Sequence, residues 1–155
     1  MSSPLQLEHM VYERIEIAAL PGHEPGAIVN VKSAVSLGST KDLKSWRVRL
    51  TVTVSRDEEP TPPYAINIVA SGAFAPVSVE DSPERIAKLV GVTGSSILYS
   101  AVRELVLLLT GRGQYGPFML PTQSFVNLDF REAPQPQAKA TSERKVAKRR
   151  KRADG

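Results

Sequence analysis

The sequence predicts an α+β fold in which four strands of an antiparallel sheet precede one long helix. Three observations carry that prediction. Residues 46–54 alternate strictly, with Trp46, Val48, Leu50, Val52 and Val54 against Arg47, Arg49, Thr51 and Thr53, as a strand with one wet face requires. Residues 97–109 switch to the i, i+3, i+4, i+7 spacing of a helix that buries a face, through Ile97, Leu98, Ala101, Val102, Leu105, Leu108 and Leu109. Strand-like segments come first and helical ones last, an order that gives an antiparallel sheet with segregated helices.

Leu5 to Leu20 reads as the first strand, apolar in part on both faces because Met10 and Tyr12 break its alternation. Pro21-Gly22-His23-Glu24-Pro25-Gly26 is a turn-rich crossover. Ile28 to Val35 is the second strand, with Val29 and Val31 on one face, followed by a polar loop from Leu37 to Lys44. Trp46 to Val54 is the third, Ser55 to Pro63 a hairpin connection, and Tyr64 to Phe74 the fourth. Ser82-Pro83-Glu84-Arg85 opens a short helix reaching Val90. The long helix is expected to start after Gly94, with Ser95 or Ser96 as N-cap. Gly111 and Gly113 are expected to end it in the left-handed region, with Arg112 at the negative end of the helix dipole. Val106 and Leu107 widen its apolar stripe beyond what one sheet covers, so a partner subunit is expected on the other side.

At 155 residues and 41% hydrophobic content, the chain is one domain with one core. It has no cysteine, which excludes disulfides and thiolate metal sites. Its first residues lack the basic and apolar regions of a signal peptide, and no apolar run reaches the length of a membrane span. A cytoplasmic protein without membrane insertion is the expectation. Charge is segregated. Residues 1–130 hold 11 Lys/Arg and 13 Asp/Glu, whereas residues 131–155 hold 9 and 3. The boundary expected from composition places a folded domain at 1–133 and a disordered basic tail at 134–155, since Pro134 and Pro136 stop any helix there.

No residue pattern calls for catalysis, a cofactor or a metal. His9 and His23 have no second ligand at a useful spacing, and Asp57-Glu58-Glu59 sits at a hairpin tip where solvated charge is ordinary. Gly91-Val92-Thr93-Gly94-Ser95-Ser96 lacks the lysine of a phosphate-binding loop. Arg103 and Glu104 are neighbours on a helix and point different ways, which suits an oligomer interface better than a catalytic pair. The Phe118-Met119-Leu120 run adds apolar surface beyond what a small domain buries, and such surface marks interaction sites.

Ile97-Leu98-Tyr99, Arg103-Glu104, Arg112-Gly113, Tyr115, Leu120-Pro121 and Phe125 resemble the C-terminal half of SecB, the bacterial export chaperone. In that family an ILFPYARE helix leads through SRGxFP into LxPVNF. Trp46 to Val54 is similar to the family's YEVVLRVTVT strand, and Gly72-Ala73-Phe74 to its GGIF. The likeness is ungapped from Ile86 to Phe125 and spans roughly residues 5 to 130.

The resemblance implies four antiparallel strands with one long and one or two short helices on one face. It also implies a tetramer, a dimer of dimers, and an ATP-independent holdase that keeps unfolded or pre-export polypeptides in apolar grooves and passes export substrates to the SecA motor. Carried over, the groove would involve Val29, Val31, Trp46, Phe74, Leu120 and Phe125. The oligomer interface would involve Val11, Leu98, Val102, Leu105, Leu108 and Leu109. Three departures stand out. The crossover from Ala18 to Ala27 lacks the family's aromatics. Arg14, Ala18 and Asn67 occupy the positions of the carboxylates that dock SecA, so much weaker SecA docking than in the family is expected. The closing helix gives way to the basic tail. That tail, through Arg144, Lys145, Lys148, Arg149, Arg150, Lys151 and Arg152, supports a second reading as an adaptor bound to nucleic acid or the ribosome. A dedicated chaperone of another protein, such as an antitoxin, is a further alternative.

Overall fold

Strand β3 (Trp46–Val54) organises the molecule because its five apolar residues are all buried while Arg47 and Arg49 stay exposed. In the computed structural model, which describes residues 3–26, 28–77 and 82–127, β3 lies between β2 (Lys32–Ser39) and β4 (Tyr64–Pro76). β1 (Leu5–Ala19) pairs with the other side of β4, so the sheet order is β1-β4-β3-β2 and every pairing is antiparallel. A short helix α1 (Pro83–Leu89), one π-helical turn (Val90–Gly94) and the long helix α2 (Ser95–Thr110) follow, and α2 packs on β3 and β4. The predicted α+β fold is the observed one.

β1 corrects the expectation of a strand apolar on both faces. Its register slips between Leu7 and His9 and again between Tyr12 and Arg14. Each bulge inserts one residue, and one residue reverses which way the following side chains point. Residues directly opposite share a face. Leu7, Met10, Tyr12, Ile15, Ile17 and Ala19 oppose Phe74, Gly72, Ala70, Ile68, Ile66 and Tyr64, so all six point to the helix side. Glu13, at the second bulge, instead accepts a hydrogen bond from Ser71 Oγ (2.9 Å) and pairs with Arg49 (2.7 Å).

The second strand runs four residues later than expected. Ile28 is 93% exposed and lies outside it, whereas Val35 and Leu37 oppose Leu50 and Val48 on the core side. The polar letters of residues 32–39 disguised this strand. At a sheet edge Lys32, Ala34, Ser36 and Gly38 only have to face water.

Helix α1 begins at Pro83 and α2 at Ser95, as expected, but the backbone stays helical between them and the expected cap after Gly94 is absent. Ser82 is the N-cap of α1, its hydroxyl accepting from Arg85 N (3.4 Å), and Pro83 fills the first position where a missing N–H costs nothing. Gly94 is in right-handed helical conformation, and neither Ser95 nor Ser96 caps anything. Ser96 Oγ donates to Val92 O (2.7 Å), while Ser95 is fully buried. Gly94 is there for close approach: a Cβ would stand 2.9 Å from Val48 Cγ2 and 3.3 Å from the Phe74 ring. The helix exit also differs. Gly111 has φ −56° and ordinary right-handed backbone, and the positive φ falls at Gly116. Gly113 is small because any Cβ would collide with the Tyr64 hydroxyl.

These two roles predict opposite outcomes for one substitution. Gly94→Ala gains about 1 kcal/mol of helix propensity but overpacks Val48 and Phe74 at about 1–3 kcal/mol, so it should destabilise. Gly111→Ala meets only helix carbonyls at 3.4 Å and should be neutral or stabilising by up to about 1 kcal/mol. Urea denaturation of both variants checks the pair. A stabilised Gly94→Ala would mean that the helix does not rest on the sheet at this point.

Helix α2 turns Leu98, Tyr99, Val102, Val106 and Thr110 inward, all buried. Leu98 and Val102 therefore belong to the core and not to an interface, and Val106 joins them. The run from Pro83 to Thr110 is long and apolar enough to cross a membrane by length and composition. Its apolar side chains at Ile86, Val90, Leu98, Val102 and Val106 are instead buried within the fold. The tail from residue 134 onward lies outside the described residues.

Candidate functional site

After Thr110 the chain folds back over the sheet as a strap, and hydrogen bonds place it residue by residue. Thr110 Oγ1 donates to Val106 O (2.6 Å) and accepts from Phe118 N (2.8 Å), joining helix to strap. Tyr64 Oη accepts from Tyr115 N (3.1 Å) and donates to Gly116 O (2.8 Å), holding the turn. Tyr99 Oη donates to Pro121 O (2.6 Å), and Arg103 Nε donates to Leu120 O (3.0 Å). Arg103 thus ties the helix to the strap within the chain. Gln123 then reaches the crossover, bonding Ser33 and the carbonyl of Val31.

The strap seals the core and fixes the fate of the expected groove. Trp46, Phe74, Leu120 and Phe125 are buried, Phe74 and Leu120 completely. Trp46 Nε1 donates to Leu43 O (2.9 Å), and Phe125 packs edge-on against Tyr99 at 5.7 Å. These four are core residues, and Trp46 also borders a surface notch beside Ser45 and Arg47. Val29 and Val31 are half-buried against the core.

The surface left uncovered lies on the helix side of β1. Leu7, Tyr12 and Ile15 project there partly exposed, Ile15 at 46%. From α2, Leu108 (74%) and Leu109 (48%) are exposed and Leu105 is half-buried. Ile15, Ile17, Ala19, Tyr64, Leu109, Thr110 and Gly113 border an open notch of about 370 Å³ between strand and helix. Tyr12 stands near Glu104, and burial first, with the Glu104 charge second, raises its phenol pKa above the usual value. Val11 is exposed too, but on the outer face beside Ser71.

β1 is also an edge. Its 15 residues pair on one side with β4, and among the described residues the N–H and C=O groups of the other side have no strand partner. A long open edge beside an apolar strip is a template for another chain. Sequence reasoning found the helix half, Leu105, Leu108 and Leu109, but missed Leu7, Tyr12 and Ile15. The signal was available in Glu8 and Glu13, which interrupt the alternation where the bulges fall.

A second exposed apolar set lies on the crossover and strap, at Ile28, Met119 (61%) and Val126. Among the described residues, no three His, Asp or Glu gather where they could hold a metal ion.

Comparison with known proteins adds a fold-level relative. No protein-family model matches the chain, and no curated protein is similar to it in sequence. Among solved structures, the Mycobacterium tuberculosis Rv1957 SecB-like chaperone, in complex with a ChAD peptide from the Rv1956 HigA1 antitoxin, is similar with a TM-score of 0.60. The two share 20% identity, and the alignment covers 78% of this chain and 91% of that one. A protein of unknown function from Streptococcus agalactiae aligns with a TM-score of 0.47 and 15% identity, over 76% of this chain and 97% of the other. The four-stranded antiparallel sheet carrying its helix on one face is a SecB-like fold.

Proposed function

We propose that this chain is an ATP-independent holdase that binds unfolded polypeptides and works as a cytoplasmic homo-oligomer. One observation carries the proposal: the SecB-like fold leaves two apolar surfaces uncovered, and each has its own use. The strip formed by Leu7, Ile15, Leu108 and Leu109 adjoins an open strand edge, which suits a symmetric contact between copies, a dimer that can pair again into a tetramer. Ile28, Val29, Val31 and Met119 belong to other segments, the stretch before β2 and the strap, and form the client surface. Each apolar side chain covered by a client contributes on the order of 1.5–3 kcal/mol, and several weak contacts on one flexible chain add by avidity.

The protein should delay aggregation of a denatured test protein without ATP, and Ile28→Ser combined with Met119→Ser should weaken that effect several-fold without changing oligomer size. Light scattering of a chemically unfolded client follows it. No delay with several clients at excess chaperone would refute the reading.

A narrower reading, a dedicated chaperone of one protein such as an antitoxin, is favoured by the solved relative that holds an antitoxin peptide. A dedicated chaperone would co-purify with one client, and an export chaperone with many. The proposal includes no SecA handoff. Arg14, Ala18 and Asn67 leave the docking positions without carboxylates, and Arg14 is paired with Glu16 at 3.8 Å.

A further inference from the structure

Sulfur is scarce in this chain and unevenly placed. There is no cysteine, and the methionines are Met1, Met10 and Met119. Met1 lies outside the described residues. Met10 faces the helix side of β1 opposite Gly72 and is half-buried against the core. Met119 is 61% exposed, so among the described residues it is the more accessible of the two thioethers.

The strap holds Met119 in that position. Pro117 and Pro121 flank the Phe118-Met119-Leu120 run and fix the backbone φ on either side of it. Phe118 N donates to Thr110 Oγ1 (2.8 Å) and Leu120 O accepts from Arg103 Nε (3.0 Å), so both neighbours of Met119 are tied to α2. Phe118 is half-buried and Leu120 fully buried. With its neighbours directed inward, Met119 is left outward, and turning it in would pull one of them out of the core. Further along the strap, Gln123 bonds Ser33 and the carbonyl of Val31 (3.4 Å), which brings the strap beside the segment carrying Ile28, Val29 and Val31.

We infer that Met119 is an oxidation-sensitive control point, its conversion to the sulfoxide weakening client capture and its reduction restoring it. The inference rests on the holdase reading and adds regulation to the same surface. The oxidant is a peroxide. A lone pair of the Met119 sulfur attacks one oxygen of hydrogen peroxide, the S–O bond forms as the O–O bond breaks, and after proton transfer the other oxygen leaves as water. Sulfur is oxidised by two electrons and the peroxide is reduced by two. A flexible, polarizable thioether suits contact with clients of unlike sequence, because it adapts its shape to each. The sulfoxide oxygen is a polar acceptor that a client must desolvate when it covers the site, and an apolar client segment offers no donor in exchange. Ile28, Val29 and Val31 carry no oxidisable group, so the chemistry is concentrated on one atom of this surface. Without cysteine, no thiol of this chain reacts ahead of it.

Treating the full-length protein with hydrogen peroxide tests this, with peptide mass spectrometry locating the added oxygen at each methionine. Met119 should gain it well before Met10. After the peroxide is removed, light scattering follows aggregation of a chemically unfolded client. The oxidised protein should need at least about threefold more chaperone for half-maximal protection, with unchanged circular dichroism and oligomer size. Met119→Leu, close in volume, should protect like the untreated chain and lose nothing on the same treatment. Met119→Gln should match the oxidised protein without any treatment. Methionine sulfoxide reductases, one for each sulfoxide epimer, should restore protection. Full protection after complete oxidation at Met119, an equal loss in treated Met119→Leu, or faster oxidation at Met10 than at Met119 would each overturn the inference and leave the holdase reading standing. Absence of protection by the untreated protein would refute that reading and this inference with it.

Discussion

Changing Ile15 and Leu109 together to lysine is expected to turn the proposed oligomer into a folded monomer, whereas Leu98→Lys, in the same helix as Leu109, is expected to unfold the protein. The difference follows from what each side chain touches. Leu98 is fully buried against the sheet, and a lysine there places an unpaired charge in the core. Ile15 and Leu109 are about half exposed, at 46% and 48%, on either side of the notch between β1 and α2. The protomer loses little when they change. In a symmetric dimer each substitution counts twice, so two substitutions remove four apolar contacts, about 6 kcal/mol at the low end of the burial scale. Since 1.4 kcal/mol is tenfold, association should weaken by about four orders of magnitude. Light scattering at micromolar concentration reads the mass and circular dichroism reads the fold. A monomeric unmodified chain, or a double variant that keeps its mass, would remove the β1–α2 strip from the interface.

Some of this was legible in the sequence and some was not, for reasons residing in particular residues. β3 is readable because Trp46 to Val54 is a central strand with one wet face, so burial alone dictates its letters. β2 is an edge strand, and only Val35 and Leu37 betray its inward face. β1 follows a period of two interrupted twice, and a strand with two bulges reads as apolar on both sides when it is apolar on one. The helix misled in another way. Gly91 and Gly94 look like a boundary, yet both are buried inside a continuous helical run, and at Gly94 a side chain would meet Val48 and Phe74. Periodicity placed Leu98, Val102, Leu108 and Leu109 on one stripe, whereas the structure buries the first two and exposes the last two. The inward row instead runs Leu98, Val102, Val106 and Thr110. Thr110 could not be chosen by hydrophobicity, since its place inside depends on a hydroxyl that joins Val106 O to Phe118 N.

Phe125→Ala is expected to cost about 3–5 kcal/mol and Leu120→Ala about 2–5 kcal/mol, and both should leave the client surface unchanged once the protein is folded. The expected groove assigned these two residues to client binding, and on that assignment the substitutions would spare stability and weaken capture. Their surroundings argue the reverse. Leu120 is fully buried, its carbonyl accepts from Arg103, and the next carbonyl accepts from the buried Tyr99. Phe125 is 2% exposed and meets the Tyr99 ring edge-on. Removing the ring leaves a cavity under a strap whose far end is held by Gln123, so the gap cannot close by simple collapse. A domain of this size has only about 5–15 kcal/mol to lose, which makes either change a large fraction of the whole. Tyr99→Phe is the control for the hydrogen bond alone. It keeps the ring against Phe125, and the lost donor should cost about 1 kcal/mol. Urea melts of the three variants, with holdase assays run well below each midpoint, separate the two roles. Normal stability with lost client capture in Phe125→Ala would return Phe125 to the groove and would mean that the strap opens when a client binds.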